Sequence, residues 1–217
     1  MSMPRDIICL VIVVQGLLCG ACATLPDYDY TNFRRHRPRS ILVLPPLNES
    51  TSVEATYGYL STVTWPLAEM GYYVFPVALI DQFMKENGMP TAGEMHQAPL
   101  DKIRTIIGAD AVLYVTVEQY GTKYVVISSN TIVRVRAKLV DTRTGTRLWA
   151  GQATAQQGSG GSGNLMADAI AAVLHQALST ATDEAHEVSR SANIILLTRE
   201  KYGLLYGPYH PQYDAKP

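Results

Sequence analysis

The most recognisable chemical spacing in this chain belongs to glycines. Gly158-Ser159-Gly160-Gly161-Ser162-Gly163 contains G-x-G-x-x-G, and Asp183 follows about 20 residues later. Such a loop can bring backbone N–H groups against a pyrophosphate, with the acid on a ribose hydroxyl. The dinucleotide fingerprint, however, opens a first βαβ unit. This one comes late, after segments that read as antiparallel strands. It is therefore read as a flexible Gly/Ser connection, and no cofactor is expected. The five histidines, His36, His96, His175, His186 and His210, are scattered, and no pair has the spacing of a zinc site. Gly160-Gly161-Ser162-Gly163-Asn164 misses a nucleophile elbow at its last place. With no catalytic constellation, the chain is not expected to be an enzyme, and no metal is expected. Arg134, Arg136 and Lys138 alternate along one segment. That stripe could meet an anionic partner, although such alternation more often marks the solvated face of a sheet.

Cysteine carries a more specific signal. The three cysteines are Cys9, Cys19 and Cys22. Ile7 to Leu18 is an apolar run interrupted only by Gln15 and Gly16. It is too short to span a bilayer, which takes about 20 residues, and it fits the core of a signal peptide. Gly20-Ala21 supplies small residues before Cys22. The pattern resembles a lipobox, with Cys19 where a Leu usually stands. Cys22 is thus the expected lipidation site, carrying palmitate among its acyl chains. An ordinary secretory signal or a short membrane anchor is the alternative. Ala23 is not the Asp that favours inner-membrane retention in lipoprotein sorting. The expected location is therefore the outer membrane, lipid-anchored, with the domain facing the periplasm. Beyond Cys22 no thiol remains, so the fold must rest on packing, without disulfides, thiolate metal sites or a cysteine nucleophile.

Composition sets the remaining bounds. Of 217 residues, 47% are hydrophobic and 17% charged, with a formal net charge of -1. This suits one globular domain with a sizeable core. No overall field draws in nucleic acid, and no nucleic-acid partner is expected. The chain divides into a signal peptide (1–21), a tether (22–39) ending in the basic cluster Arg34-Arg35-His36-Arg37 with Arg39, an α/β domain (40–200), and a Tyr/Pro-rich tail (201–217).

The elements that would position these residues follow from periodicity. Ser40 to Leu44 is a short apolar run closed by Pro45-Pro46, as in a strand buried on both faces. Val53, Tyr57, Leu60, Val63, Leu67 and Met70 recur at helical spacing, and Gly71 stops that helix. Tyr72 to Pro76 reads as a second strand, and Leu79 to Met84 as a second helical face. Met89 to Ala98 reads as a loop, and Leu100 to Ile107 as a third helix. Ala111 to Glu118 is a strand, Gly121-Thr122-Lys123 a turn, and Thr131 to Val140 a strand with Val133, Val135, Ala137 and Leu139 on one face. Asp141 to Gly145 turns into a return strand, Arg147 to Ala155. Asn164 to Val188 reads as the longest helix, followed by a short apolar segment, Ile194 to Leu197. The tail holds Tyr202, Tyr206, Tyr209 and Tyr213. So many rings argue against a wholly solvated end, and Tyr206 and Tyr209 join the basic stripe as a candidate partner surface. The fold expected is α/β (α+β): a single-domain sandwich of two or three layers, with a mixed β-sheet and a long C-terminal helix packed on it.

Three segments carry a resemblance. Ile41 to Ser50 resembles the opening strand and loop of periplasmic α/β domains such as the TolB N-terminal domain and CsgG-like lipoproteins. Gly108-Ala109-Asp110 resembles their entry into a central strand. Leu139 to Trp149 resembles their hairpin, in which Asp and Gly make the turn and the Trp packs back on the sheet. Over nearly the whole mature chain, with Asp27-Tyr28 to Pro46 and Met70 to Val77, it looks most like the GNA-type outer-membrane lipoproteins, a family of unknown function. The resemblance implies a non-enzymatic envelope assembly or accessory protein binding other lipoproteins, a CsgG-like one among them, and possible homo-oligomers. The alternatives are a periplasmic small-ligand protein or enzyme using the Gly158–Gly163 loop, or an oligomeric secretion-channel component.

Overall fold

The structure is a computed structural model that describes residues 28–125, 128–158 and 181–213. In chain order its elements are α1 (Thr31–His36), β1 (Ser40–Val43), β2 (Leu47–Asn48), α2 (Ala55–Glu69), β3 (Tyr73–Val74), α3 (Val77–Glu86), α4 (Ala92–Met95) and α5 (Leu100–Lys102). A π-turn at Ile103–Ile107 extends α5. Then come β4 (Ala111–Val125), β5 (Ser128–Asp141), β6 (Arg147–Gly158) and α6 (Ala181–Thr198). The strands form one sheet in the order β3-β1-β4-β5-β6, with β2 also paired to β4. Pairing is parallel among β3, β1, β2 and β4. It is antiparallel from β4 through β6. This is an α/β fold with a mixed sheet and a C-terminal helix packed on it.

One face of the sheet is closed along its whole width. Ile41, Val43, Leu113, Val117, Val133, Val135, Leu139 and Trp149 pack under Tyr59, Val63 and Leu67 of α2 and Val188, Ala192 and Leu196 of α6. Each fully buried aliphatic side chain stabilises by roughly 1.5–3 kcal/mol before entropy is counted. A polar network joins the two covering helices. The Tyr59 hydroxyl donates to Asn193 Oδ1, Asn193 Nδ2 donates to Thr62 Oγ1 at 2.9 Å, and Thr62 Oγ1 donates to the Tyr59 carbonyl at 2.8 Å. Every member is buried and partnered, so the network fixes how α2 sits on α6. Burial also pushes the Tyr59 hydroxyl well above its ordinary pKa.

Among the described residues, the opposite face is closed only over the parallel strands. There Leu42, Leu44 and Val112 meet Ile80, Met84, Met95 and Ile103. The described residues make a sandwich three layers thick at this end and two layers thick at the other. The basis is visible in β1, where Ile41, Leu42 and Val43 are all buried, as a strand covered on both sides requires.

Two bulges set the phase of the antiparallel strands. Val117 pairs with Val135 but Gln119 pairs with Arg134, so Glu118 is an extra residue on β4. The inward set therefore changes from Val115 and Val117 to Tyr120. Gly121-Thr122-Lys123 reads as a turn in the sequence because a glycine followed by polar residues is a common turn signal, and Gly121 does take φ +112°. The strand in fact runs through it to Val125. Leu148 is likewise extra on β6, between the pairs Leu139–Trp149 and Val140–Arg147, and both Leu148 and Trp149 join the covered face.

Other local expectations shift. Val53 and Tyr57 are 90% and 51% exposed, so the buried face of α2 is carried by Ala55, Tyr59, Leu60, Val63 and Leu67 instead. The expected loop Met89 to Ala98 holds α4, closed by a Thr91/Glu94 capping box. The apolar segment Ile194 to Leu197 is not separate but the end of α6. Of the expected long helix, residues 164–180 lie outside the described residues.

Both chain ends are packed on the domain where they are described, as the rings of the tail suggest. Within the expected tether, α1 buries Phe33 in the core. The Tyr28 hydroxyl accepts the Ala150 N–H at 2.8 Å, and the Tyr30 hydroxyl donates to the Gly203 carbonyl. In the tail, Gly207 N donates to the Met70 carbonyl at 2.8 Å and Tyr209 N to the Gly71 carbonyl at 3.1 Å. A Cβ on Gly207 would lie 2.3 Å from the Gly71 carbonyl oxygen, and one on Gly71 would lie 2.2 Å from His210 N. Glycine at both places permits this backbone contact.

Candidate functional site

The resembling segments place local chemistry where expected. Gly108 has φ +86° and ends the π-turn. Asp110 then accepts the N–H groups of Arg39 at 3.0 Å and Ser40 at 3.2 Å, tying the start of β1 to the start of β4. In the hairpin, Asp141 Oδ1 accepts from Arg143 N at 3.0 Å and Thr144 N at 2.8 Å, and Gly145 takes φ +70°. Trp149 is fully buried, and its indole N–H donates to the Tyr202 carbonyl at 2.8 Å. Asp and Gly thus make the turn and the Trp packs back on the sheet.

The basic stripe lies on the open face of β5, opposite the covered residues. It does not form a bare cationic surface. Arg136 bridges the carboxylates of Glu49 and Glu118, and those partners hold its guanidinium firmly charged. Arg134 Nε donates to Thr154 Oγ1 at 3.2 Å. Lys138 Nζ stands 5.1 Å from the centre of the Tyr114 ring. The face is therefore mixed in sign and rich in donors and acceptors, with Gln152, Thr154 and Gln156 exposed beside it.

At the margin between open and closed faces sits a contact that sequence reasoning missed. His96 meets Tyr114 edge to face, with ring centres 5.2 Å apart. Its Nε2 lies 2.9 Å from the Pro45 carbonyl, which requires the proton on Nε2. Burial lowers the His96 pKa, the carbonyl opposes that shift, and the nearby Lys138 charge adds to it. The sequence hint was small: a His in the short α4–α5 connection and a Pro-Pro end to β1.

Tyr206 and Tyr209 lie in the tail, where it meets the N-terminal segment, and not on the face of β5 that carries the stripe. Tyr206 stacks on His210, with ring centres 3.8 Å apart, and Tyr209 is 63% exposed. Tyr28, Tyr30, Arg34, Arg37, Tyr206 and Tyr213 line an open cleft of about 1170 Å³. The predicted partner residues thus form two separate surfaces. Cys22 and the loop beyond Gly158 lie outside the described residues. Among the described residues, no group of three or more His, Cys, Asp or Glu side chains is arranged to hold a metal ion.

The chain matches the family described as "Putative lipoprotein GNA1162-like" over residues 28–209. It is 44% identical over 196 residues to "Putative lipoprotein NMB1124/NMB1162" of Neisseria meningitidis serogroup B, spanning 88% of this chain and 91% of that protein. The crystal structure of lipoprotein GNA1162 from Neisseria meningitidis is similar with a TM-score of 0.54 at 44% identity, covering 66% of this chain and 100% of that one. A PelC dodecamer from Paraburkholderia phytofirmans aligns at 16% identity with a TM-score of 0.44, over 72% of this chain and 85% of that one. None of these relatives is named as an enzyme. By the extent of the family match and the identity to its meningococcal relative, the chain belongs to the GNA1162-like lipoprotein family.

Proposed function

We propose that this protein is held by lipid on Cys22 at the periplasmic face of the outer membrane, and that it works there by binding other envelope proteins rather than by catalysis. One observation carries the binding reading. Among the described residues, helices close the sheet across one whole face and over the parallel strands of the other, yet leave the second face of β5 and β6 open. That face presents Arg134, Arg136, Lys138, Glu49 and Glu118, charges of both signs that suit a hydrogen-bonding partner more than a polyanion. Anchoring to one membrane raises the effective concentration of two lipoproteins for each other, so a modest contact suffices. A CsgG-like lipoprotein is the candidate partner that the family likeness suggests.

Photocrosslinkers placed at Arg134 and Lys138 in cells should capture an envelope lipoprotein. The same group at Glu69, on the helical side, should not. Equal labelling from both faces, or none from the sheet, would sink the partner reading. The anchor is tested separately, by intact mass and palmitate labelling, with Cys22→Ala as control. An unmodified wild-type Cys22 would remove it.

A further inference from the structure

The cleft where the N-terminal segment meets the tail collects charge of one sign. Arg34, Arg37, Arg199 and Lys201 line it, against one carboxylate, Glu200. All five of these residues are exposed. The chain as a whole has a formal net charge of -1, so its charge is unevenly spread and this end is cationic. The open face of β5 is different, because Arg136 is held there between Glu49 and Glu118. Among the described residues, neither Arg34 nor Arg199 forms an ion pair. Arg199 instead lies over the Tyr202 ring, 5.5 Å from its centre. Stacking of that kind holds the guanidinium plane and leaves its N–H edge to meet a phosphate oxygen. Arg37 is likewise set over Tyr213, at 5.8 Å, and its Nε donates to the Arg34 carbonyl at 3.2 Å.

Beneath these charges the cleft is apolar, with Phe33, Met70 and Leu204 buried in its floor. Tyr30, Tyr206 and Tyr213 stand on its walls. Tyrosine rings beside cations are what proteins present to a membrane–water interface, the rings among the ester groups and the cations at the phosphates. Position agrees with composition. Tyr28, also on the cleft wall, stands six residues after Cys22. Six residues span at most about 20 Å in any conformation, and the headgroup layer of one leaflet is itself about 5–8 Å deep.

Resting on the lipid anchor proposed above, we propose that this cleft docks on the membrane, its cations taking the phosphates of anionic phospholipid headgroups in the leaflet that holds the anchor. The anchor fastens the chain at one point and leaves its rotation free. The second contact fixes which end of the domain faces the leaflet. Arg134, Arg136 and Lys138 are not among the residues that line the cleft, so docking leaves the open face of β5 available to a protein partner.

The test uses the full-length lipidated protein, its acylation verified by intact mass, in nanodiscs. One set is phosphatidylcholine alone, and the other contains about one-third phosphatidylglycerol, a strongly anionic surface. Amide exchange at residues 30–37 and 199–207 should be about tenfold slower on the anionic discs, while the β5 amides exchange alike on both. Arg34→Ser with Arg199→Ser should reduce that difference to about twofold or less, since each cation at an anionic surface strengthens attachment about fivefold. Arg134→Ser with Arg190→Ser removes the same charge elsewhere and should leave the difference in place. Equal exchange on the two discs would overturn the proposal. So would a difference that the second pair of substitutions abolishes as fully as the first. Glycerol phosphate added to the neutral discs should change nothing; the same slowing from it would give the cleft to a soluble phosphate and overturn the docking. The anchor fails separately. An unmodified Cys22 is read from the mass before any disc is made, whereas acylated protein with equal exchange keeps the anchor and loses only the docking.

Discussion

The parallel and antiparallel halves of this sheet belong to one hydrogen-bonded surface but meet different surroundings. In the parallel half, Leu42, Leu44 and Val112 face a helical layer, while Ile41 and Val43 face another. In the antiparallel half, the residues at equivalent positions on the second face are Arg134, Arg136 and Lys138. Continuous apolar runs and strict alternation are thus two answers to one question: how many layers cover the strand. The difference shows that a single sheet can serve as a core at one end and as a binding surface at the other. Each half can be attacked by substitutions chosen for its surroundings.

The largest effect should come from the layer both halves share. Trp149→Ala removes the largest fully buried side chain and should lower stability by about 3–5 kcal/mol in denaturant unfolding. Leu42→Ala, in the half covered on both sides, should cost about 2–5 kcal/mol by the same measurement. Arg134→Ser on the open face of β5 should change stability by less than about 0.5 kcal/mol. If the arginine mattered to the fold as much as the leucine, the comparison would fail.

Asn193→Leu tests whether the shared layer depends on its polar network. It leaves the Tyr59 hydroxyl and Thr62 hydroxyl short of a buried partner and should cost about 1–3 kcal/mol. Tyr59→Phe combined with Asn193→Leu should recover part of that loss, which a double-mutant cycle would read directly.

His96 tests the margin between the halves. Its native pKa is lowered, chiefly by burial, so the unfolded chain binds its proton first as pH falls. The stabilisation is fully present above the unfolded value of about 6.5 and is lost below it, toward the lowered native value. Denaturant midpoints should therefore drop between neutral pH and about pH 5. In His96→Gln that part of the slope should disappear. An unchanged slope would place the acid sensitivity elsewhere.

The tail gives the most local test. Gly207→Ala sets a Cβ against the Gly71 carbonyl. Hydrogen exchange should rise at residues 203–210 by about tenfold or more, for a docking loss of about 1–2 kcal/mol. The β5 amides should stay protected. Loss of protection in both would mean that the tail and the sheet open together.

Much of this was legible before any coordinates. The alternation of Val133, Val135, Ala137 and Leu139 with Arg134, Arg136 and Lys138 names the covered and open faces of β5 correctly, because side-chain period in a strand is two. Asp141 and Gly145 identify their turn because each supplies a specific backbone need. The bulge at Glu118 was not legible. An extra residue changes the phase of a strand just as a turn interrupts it, and only the partner register separates the two. The internal partners of Arg136 were also hidden. Glu49 comes from a loop 87 residues away, and no local pattern records such a meeting. Nor does any local rule pair Gly71 with Gly207.

The sequence by itself determined the class of fold, the open and closed sides of β5, the hairpin at Asp141, and the family. Each of these is written in short-range spacing or in the likeness of whole segments. Only the tertiary structure decided that the third layer stops partway across the sheet. It alone decided that the Tyr28 hydroxyl bonds the start of β6, and that both chain ends fold onto the domain. These depend on which surfaces meet across long stretches of chain, and the free energy of such meetings belongs to the pair rather than to either segment.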